Sequence, residues 1–244
     1  MQSGLYVSLS SQIALERRLT TIADNMANVN TVGFRATNVK FDQVLSNTQN
    51  ELGAKVAFVS QGNDYLSDRH GDMLNTGNPL DFAVKGDAYF MIKTPVGNVL
   101  TRDGRFTMSE TGEVLSTRGY PVLDAGGGPI QVRRDGGPLS VGADGNIHQD
   151  GKQVASIGLY SADLTQGFVR YENSGVISTQ TPQAIVDRAD VGVMQGYVEQ
   201  SNVNGIGEMT DLIQVNRAFE SISSLMKDSE NTLAEAIKTL GGSR

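Results

Sequence analysis

Residues 21–35 read TIADNMANVNTVGFR. The stretch starts as an amphipathic helix, with Ile22, Met26 and Val29 on one face, and ends in a run of Asn, Thr and Gly. Asn tolerates a left-handed φ and Gly favours it, so Asn28, Asn30, Thr31 and Gly33 are expected to stop the helix. It holds no His or Cys and a single acid, Asp24, so its many small amides suit hydrogen bonding better than proton transfer.

Toward the N-terminus the helical spacing continues. Leu15, Leu19, Ile22, Met26 and Val29 step by 4, 3, 4 and 3, a heptad seam widened by Ile13 and Ala23. Earlier the seam meets Gln12 and Ser8. The other end of the chain mirrors it. Met209, Leu212, Asn216, Phe219, Ser223, Met226, Glu230, Leu233, Ile237 and Leu240 alternate by 3 and 4, and a second stripe of Ile213, Ile222, Leu225 and Ala236 lies beside them. No Pro interrupts this segment and Gly241–Gly242 closes it. A helix of ~30 residues, roughly 45 Å long, is typical of coiled coils or bundles.

Between the helices the apolar period drops to two. AYFMIK, NVLTRDGRFTM, EVLSTRGYPVL, PIQV, LSVGADGNIHQ and QVASIGLYS read as short strands, punctuated by Asp-Gly at 103, 135, 144 and 150. Asp-Gly supplies the positive φ of tight hairpin turns. The pattern predicts an α+β fold: long N- and C-terminal helices packed as an α-helical coiled-coil core, with a central antiparallel β-rich domain. Its divisions are a helix and Asn-rich turn at 1–35, an extended connector at 36–80, the β domain at 81–185, and a return connector and helix at 186–244. The helices' apolar faces are wider than the two can cover alone, which implies burial against other chains; packing of both helices on the β domain of one monomer is the alternative.

Composition bounds the function. Hydrophobic residues make up 39% and aromatics 6%, thin for one compact core, and 28 Gly against 6 Pro favours tight turns over Pro-rich disorder. A net charge of −7 and scattered basic residues argue against nucleic acid as a partner, and Arg17–Arg18 and Arg133–Arg134 suit solvated faces. Without Cys there is no disulfide, thiolate nucleophile or thiolate metal site. No apolar run of 18 or more residues supplies a transmembrane segment. The start, MQSGLYVSLSSQIALERR, lacks the build of a secretory signal, so passage out of the cytoplasm needs another route.

No catalytic constellation emerges. His70 and His148 lie in different regions, and Asp144, His148 and Asp150 are better explained as turn residues than as a cation site. GGG at 126–128 precedes Pro129 instead of a helix, so it is a turn and not a phosphate cradle. NGIGEM at 204–209 does enter a helix, with Glu208 placed to complement its dipole. Neither enzyme activity nor a cofactor or metal is expected.

ADNMANVNTVGFR (23–35) resembles the amino-terminal signature of the flagellar rod and hook family, roughly A-N-N-x-A-N-x-x-T-x-G-[FY]-[KR]. GYVEQSNVN (196–204) and EMTDLIQVNRAFESISSLMK (208–227) resemble its carboxy-terminal signature, and GDAYFMI (86–92) and TRDGRF (101–106) its central β segments. Asp24, Val32 and Arg35 depart from commoner residues without removing the turn-forming Asn28, Asn30 and Gly33. Length leaves the proximal and distal rod members, and the absence of a Gln-Pro-Gly insertion near 45–55 favours the proximal one. The resemblance implies a structural, torque-transmitting subunit of the basal-body rod, crossing the periplasm. Its implied partners are copies of itself, adjacent rod proteins and the flagellar type III export apparatus, which would carry it unfolded and without a cleaved signal.

In that setting Asn25, Asn28, Asn30 and Thr31 would satisfy backbone groups in a turn buried between subunits, with Gly33 shaping the turn and Phe34 seated in a neighbour's groove. Glu199, Ser201 and Asn202 would lead into a contact face whose apolar knobs are Met209, Leu212, Phe219, Met226 and Leu233, opposite Leu15, Leu19, Ile22 and Met26. An exposed Asn-rich cap and the core of one subunit's helical hairpin are the plainer readings of the same residues. From another class, a secreted oligomeric adhesin or glycan-binding β module is the rival.

Overall fold

The computed structural model describes residues 2–46, 56–60, 62–186 and 189–242. The segment read for the absent insertion lies mostly at 47–55, outside the described residues. The chain divides into two compact units. One holds the terminal helices with residues 37–64; the other holds residues 28–36 and 65–203.

In the helical unit, α1 spans Gln2–Ala27 and α2 spans Gly205–Gly241. Asn204 caps α2 by accepting from Gly207 N at 3.1 Å. The helices are antiparallel: Gln12 Nε2 donates to Ser223 Oγ at 3.4 Å, Arg18 lies 3.8 Å from Asp211, and Asn25 Nδ2 donates to Glu208 Oε1 at 3.1 Å. α2 has 37 residues against 26 in α1, so its last turns run past the end of its partner. The strand pair Gln43–Ser46 and Val56–Val59 belongs to this unit and rests on α1, with Val59 N reaching Ser10 Oγ at 3.5 Å. Arg17 pairs with Asp64 at 3.0 Å.

Residues 36–80, expected to be an extended connector, therefore carry short strands. Four-residue strands hold at most two cycles of the period-two pattern, too few to rise above a polar background.

The second unit is built on an antiparallel sheet with the order Phe168–Tyr171, Gly175–Ser178, Gly97–Thr101, Phe90–Thr94. Both of its faces are covered. Phe90 and Ile92 point into one apolar cluster, and Tyr89 and Met91 into another. Phe106 packs against Phe90 edge-on at 5.2 Å and against Phe82 at 6.0 Å, at the centre of the larger cluster. The return segment closes the unit, since Gly192–Gln195 pairs with Phe82–Lys85 and Tyr197–Glu199 with Met73–Asn75.

The Asp-Gly turns divide. Asp150 and Gly151 both have positive φ, 52° and 72°, and join Asn146–Gln149 to Lys152–Ser156, as a two-residue hairpin of mirror-image turn type requires. At Asp103–Gly104 no hairpin turn forms: neither residue has positive φ, and the chain passes from Gly97–Thr101 into a separate strand, Phe106–Met108. PIQV makes isolated bridges through Pro129 and Gln131 instead of a strand.

Candidate functional site

Three of the quoted motifs meet in the second unit. The turn after Asn28 is tied by Thr31 N to Asn28 O at 3.1 Å and Thr31 Oγ1 to Asn28 Oδ1 at 3.1 Å. Gly33, at φ +70, donates to Glu199 O at 2.8 Å. Asn202 works on both sides: its Oδ1 accepts from Ala36 N at 2.7 Å and its Nδ2 donates to Arg69 O at 2.6 Å. Phe34, only 3% exposed, lies under the Arg170 guanidinium at 4.4 Å and beside Val203.

Beneath the turn is a buried ion-pair knot. Arg102 and Glu199, each 1% exposed, are joined by Arg102 Nη1 donating to Glu199 Oε2 at 2.8 Å. Arg102 Nη2 donates to Gly86 O at 2.7 Å, and Glu199 Oε1 accepts from Gly71 N at 3.1 Å. The guanidinium carbons of Arg35 and Arg102 stand 5.6 and 5.1 Å from the Tyr89 ring, so two positive charges share one aromatic ring. Burial pushes the Tyr89 hydroxyl's pKa up, against the pull of both arginines. A buried pair tolerates desolvation better when its remaining donors and acceptors are used; the Gly86 and Gly71 contacts use two of them, while Arg102 Nε has no hydrogen-bond partner among the described residues. The knot fastens residues 33–36, 69–71, 86–89, 101–102 and 199–202 without any arrangement suited to turnover.

In the helical unit Asn25 is fully occupied. Its Oδ1 accepts from Thr37 N and its Nδ2 donates to Thr37 O, both at 2.9 Å, with a further donation to Glu208. Burial is the main cause that raises the Glu208 carboxyl's pKa, partly offset by that bond. Ala14 and Ile22 of α1 and Val215 of α2 are buried, and Leu212, Phe219, Ile222 and Met226 are half-buried. The covered stripe of α2 is thus 212, 215, 219, 222, 223 and 226. Two outward stripes remain open: Tyr6, Leu9 and Ile13 on α1, and Ile206, Met209 and Ile213 on α2. Ile237 and Leu240, 70% and 84% exposed, lie on the overhanging end.

The comparisons with known proteins fall on the same segments. The family model described as Flagella basal body rod protein matches residues 5–35, that of the Flagellar hook protein FlgE/F/G D1 domain matches 83–149, and that of the Flagellar basal body rod FlgEFG protein C-terminal matches 194–239. The chain is 59% identical over 244 residues to flagellar basal-body rod protein FlgF of Rhizobium meliloti (strain 1021), covering 100% of both chains. This chain belongs to the FlgF family of flagellar basal-body rod proteins. Identity to FlgF of Caulobacter vibrioides is 34% over 243 residues, 99% of each chain, and to FlgG of Bacillus subtilis (strain 168) 30% over 262 residues, 97% and 98%. A FlgF-family chain is a structural subunit of the flagellar basal body, not an enzyme.

Within this FlgF-family fold, the residues singled out from sequence separate into groups. Ile22 is buried, and Leu15, Leu19, Met26, Leu212, Phe219, Met226 and Leu233 are half-buried. Met209 faces outward and Asn30 is exposed. Ser201 Oγ accepts from Val203 N at 3.3 Å, fixing the approach to α2. Phe34 and the amides of Asn25 and Asn202 are spent inside their own units, where the sequence reading had Phe34 in a neighbour's groove. The physical reason is that residues 28–36 fold with the β unit. Sequence reasoning missed Arg35, His70, Arg102, Val215 and Tyr6. TRDGRF and GFR did display the two arginines, but nothing local marks a charge as buried. Among the described residues no group of three or more His, Cys, Asp or Glu gathers as a metal site.

Asn25→Leu is expected to destabilise the helical unit by about 2–4 kcal/mol, because it strands both backbone groups of Thr37 and the Glu208 carboxylate. Helical CD followed through urea denaturation measures it; a loss below about 0.5 kcal/mol contradicts the assignment.

Proposed function

We propose that this FlgF-family subunit builds the proximal rod by laying the outward stripes of its helices against neighbouring copies and adjacent rod proteins. In this reading α1 and α2 pack with those neighbours in coiled-coil fashion, forming the torque-transmitting core of a tube that crosses the periplasm. The helices within 1–35 and 186–244 supply the core, with 37–64 packed in their unit, and 81–185 forms the outer β domain together with 28–36, 65–80 and 186–203. Leu15, Leu19, Ile22, Met26, Leu212, Phe219, Met226 and Leu233 hold the helix pair together, while Met209 belongs to the contact face proper. Asn25 fixes the geometry of the helical unit, and Asn28, Asn30, Thr31, Gly33, Phe34, Glu199, Ser201 and Asn202 shape the turn and the approach strand of the β unit. Export through the flagellar type III apparatus fits a chain with no Cys to cross-link in transit.

The observation that carries the reading is the pair of open stripes, Tyr6–Leu9–Ile13 and Ile206–Met209–Ile213, together with the uncovered end of α2. Each large aliphatic side chain there gains about 1.5–3 kcal/mol on burial, so a stripe on each helix, used repeatedly along a tube, represents a strong drive to assemble.

The test is a pair of substitutions, Ile13→Asp and Ile213→Asp, made together. The purified chain should keep its helical CD and melting curve, because both positions are exposed in the single chain. A strain carrying it should lack complete rods, hooks and filaments and should not swim. Normal motility in that strain, with the protein expressed, would refute the contact face.

A further inference from the structure

His70 is one of two histidines in the chain, and the assembly reading does not use it. Its Nδ1 lies 3.0 Å from Arg35 Nη2 and 3.1 Å from Arg102 Nη1. A guanidinium carries only donors and keeps its charge at any pH at which the protein folds. Two N–H groups therefore converge on one ring nitrogen, which fixes Nδ1 as the acceptor and puts the ring proton on Nε2.

The groups facing this ring are accounted for. Glu199 Oε1 is 3.8 Å from Nδ1. Asp87 lies 4.0 Å from Arg35 and 3.8 Å from Arg102, and the Tyr89 hydroxyl accepts from Arg35 Nη1 at 3.3 Å. A proton on Nδ1 would set a donor against two donors and add a third positive charge to the cluster. Glu199 Oε1, the oxygen nearer the ring, already accepts from Gly71 N, so compensation there competes with that bond. The His70 side chain is 44% exposed, so the protonated ring has water to turn into.

His70 also sits on a segment held from both sides. Ser67 N donates to Ala36 O at 2.9 Å, Gly71 N donates to Glu199 Oε1 at 3.1 Å, and Arg69 O accepts from Asn202. These bonds join segment 67–71 to the Asn-rich turn and to the strand that leads toward α2.

We propose that His70 is an acid-released pin: when its imidazole takes up a proton, segment 67–71 lets go of Glu199 and of the turn, while the sheet around Phe90 stays folded. The direction agrees with the local field. Burial first, then Arg102 and Arg35, hold the imidazole's pKa below its ordinary 6.5. The folded state thus binds fewer protons than the unfolded one. The pin's contribution is complete above 6.5 and is lost as pH falls below it through the lowered value.

The test uses hydrogen exchange of the full chain at about pH 7.5 and about pH 5, corrected for intrinsic rates, on wild type, His70→Asn and His148→Asn. Asn presents an acceptor near the place of Nδ1 and does not titrate. Protection of the Gly71 and Gly33 amides should fall about tenfold in acid for wild type and His148→Asn, and stay flat for His70→Asn. Equal acid loss in His70→Asn, or none in wild type, overturns the proposal. Imidazole nitrogen shifts give an independent reading in the unaltered chain: an Nδ1–H tautomer at neutral pH, or titration above the ordinary value, also overturns it.

Discussion

Glu199→Ala is expected to lower the melting temperature of the β unit by about 10 °C. Removing one member of a buried pair costs about 3–5 kcal/mol, because the partner charge stays buried without compensation. Each kcal/mol shifts a unit of this size by about 2–4 °C. Here the stranded partner is Arg102, left with Gly86 O, with His70 Nδ1 at 3.1 Å and with Asp87 at 3.8 Å, whose side chain is largely exposed. The same substitution strips Gly71 N of its acceptor. Calorimetry of the purified chain measures the shift. A second variant, Arg102→Met with Glu199→Leu, removes both charges and should recover much of the loss, since an apolar pair of similar volume carries no desolvation penalty. A drop in Glu199→Ala smaller than about 2 °C would mean the pair contributes little.

Gly33→Val is the second large effect. A Cβ at this position would stand 2.2 Å from Asp103 N and 2.4 Å from Arg102 C, and the residue sits at φ +70. Both clashing atoms are backbone, so no rotamer change relieves them, and a β-branched residue rarely adopts that φ. The expected cost is at least about 3 kcal/mol, enough to pull residues 31–36 off the β unit. Limited proteolysis should then cut within 28–36, where wild type resists, and cells carrying the variant should lose motility. A variant with wild-type protection at this turn would show that the close approach of the two segments is not needed.

Both effects arise where segments far apart in sequence meet, and that is where sequence reading stopped. The helical ends were legible because Ile22, Met26, Leu212, Phe219 and Met226 repeat a period that only a helix satisfies. The Asp150–Gly151 hairpin was legible because its two residues determine their own backbone angles. By contrast, the seam spacing puts Asn216 on the inner face of α2, yet Asn216 is exposed and Val215 is the buried residue, while Ser223 does meet Gln12 of α1. The two stripes share Leu212, Phe219 and Met226, and spacing alone does not say which neighbouring positions face α1.

Asn25 was recognised as a residue valued for its paired donor and acceptor, while its partner, Thr37, lies beyond the turn. Glu199 was placed at the approach to a contact face, and Arg102 was seen only as part of a strand-like run. Their 2.8 Å bond spans 97 residues of chain. Hydrophobic period, turn residues and caps act over a few residues, so the chain by itself determined two long terminal helices, a turn-rich antiparallel middle and a non-catalytic character. Which faces are spent internally, which charges are buried and paired, and how the Asn-rich turn docks are decided only when distant segments close on one another. Burial turns an ordinary arginine into a structural constraint, and burial belongs to the tertiary fold.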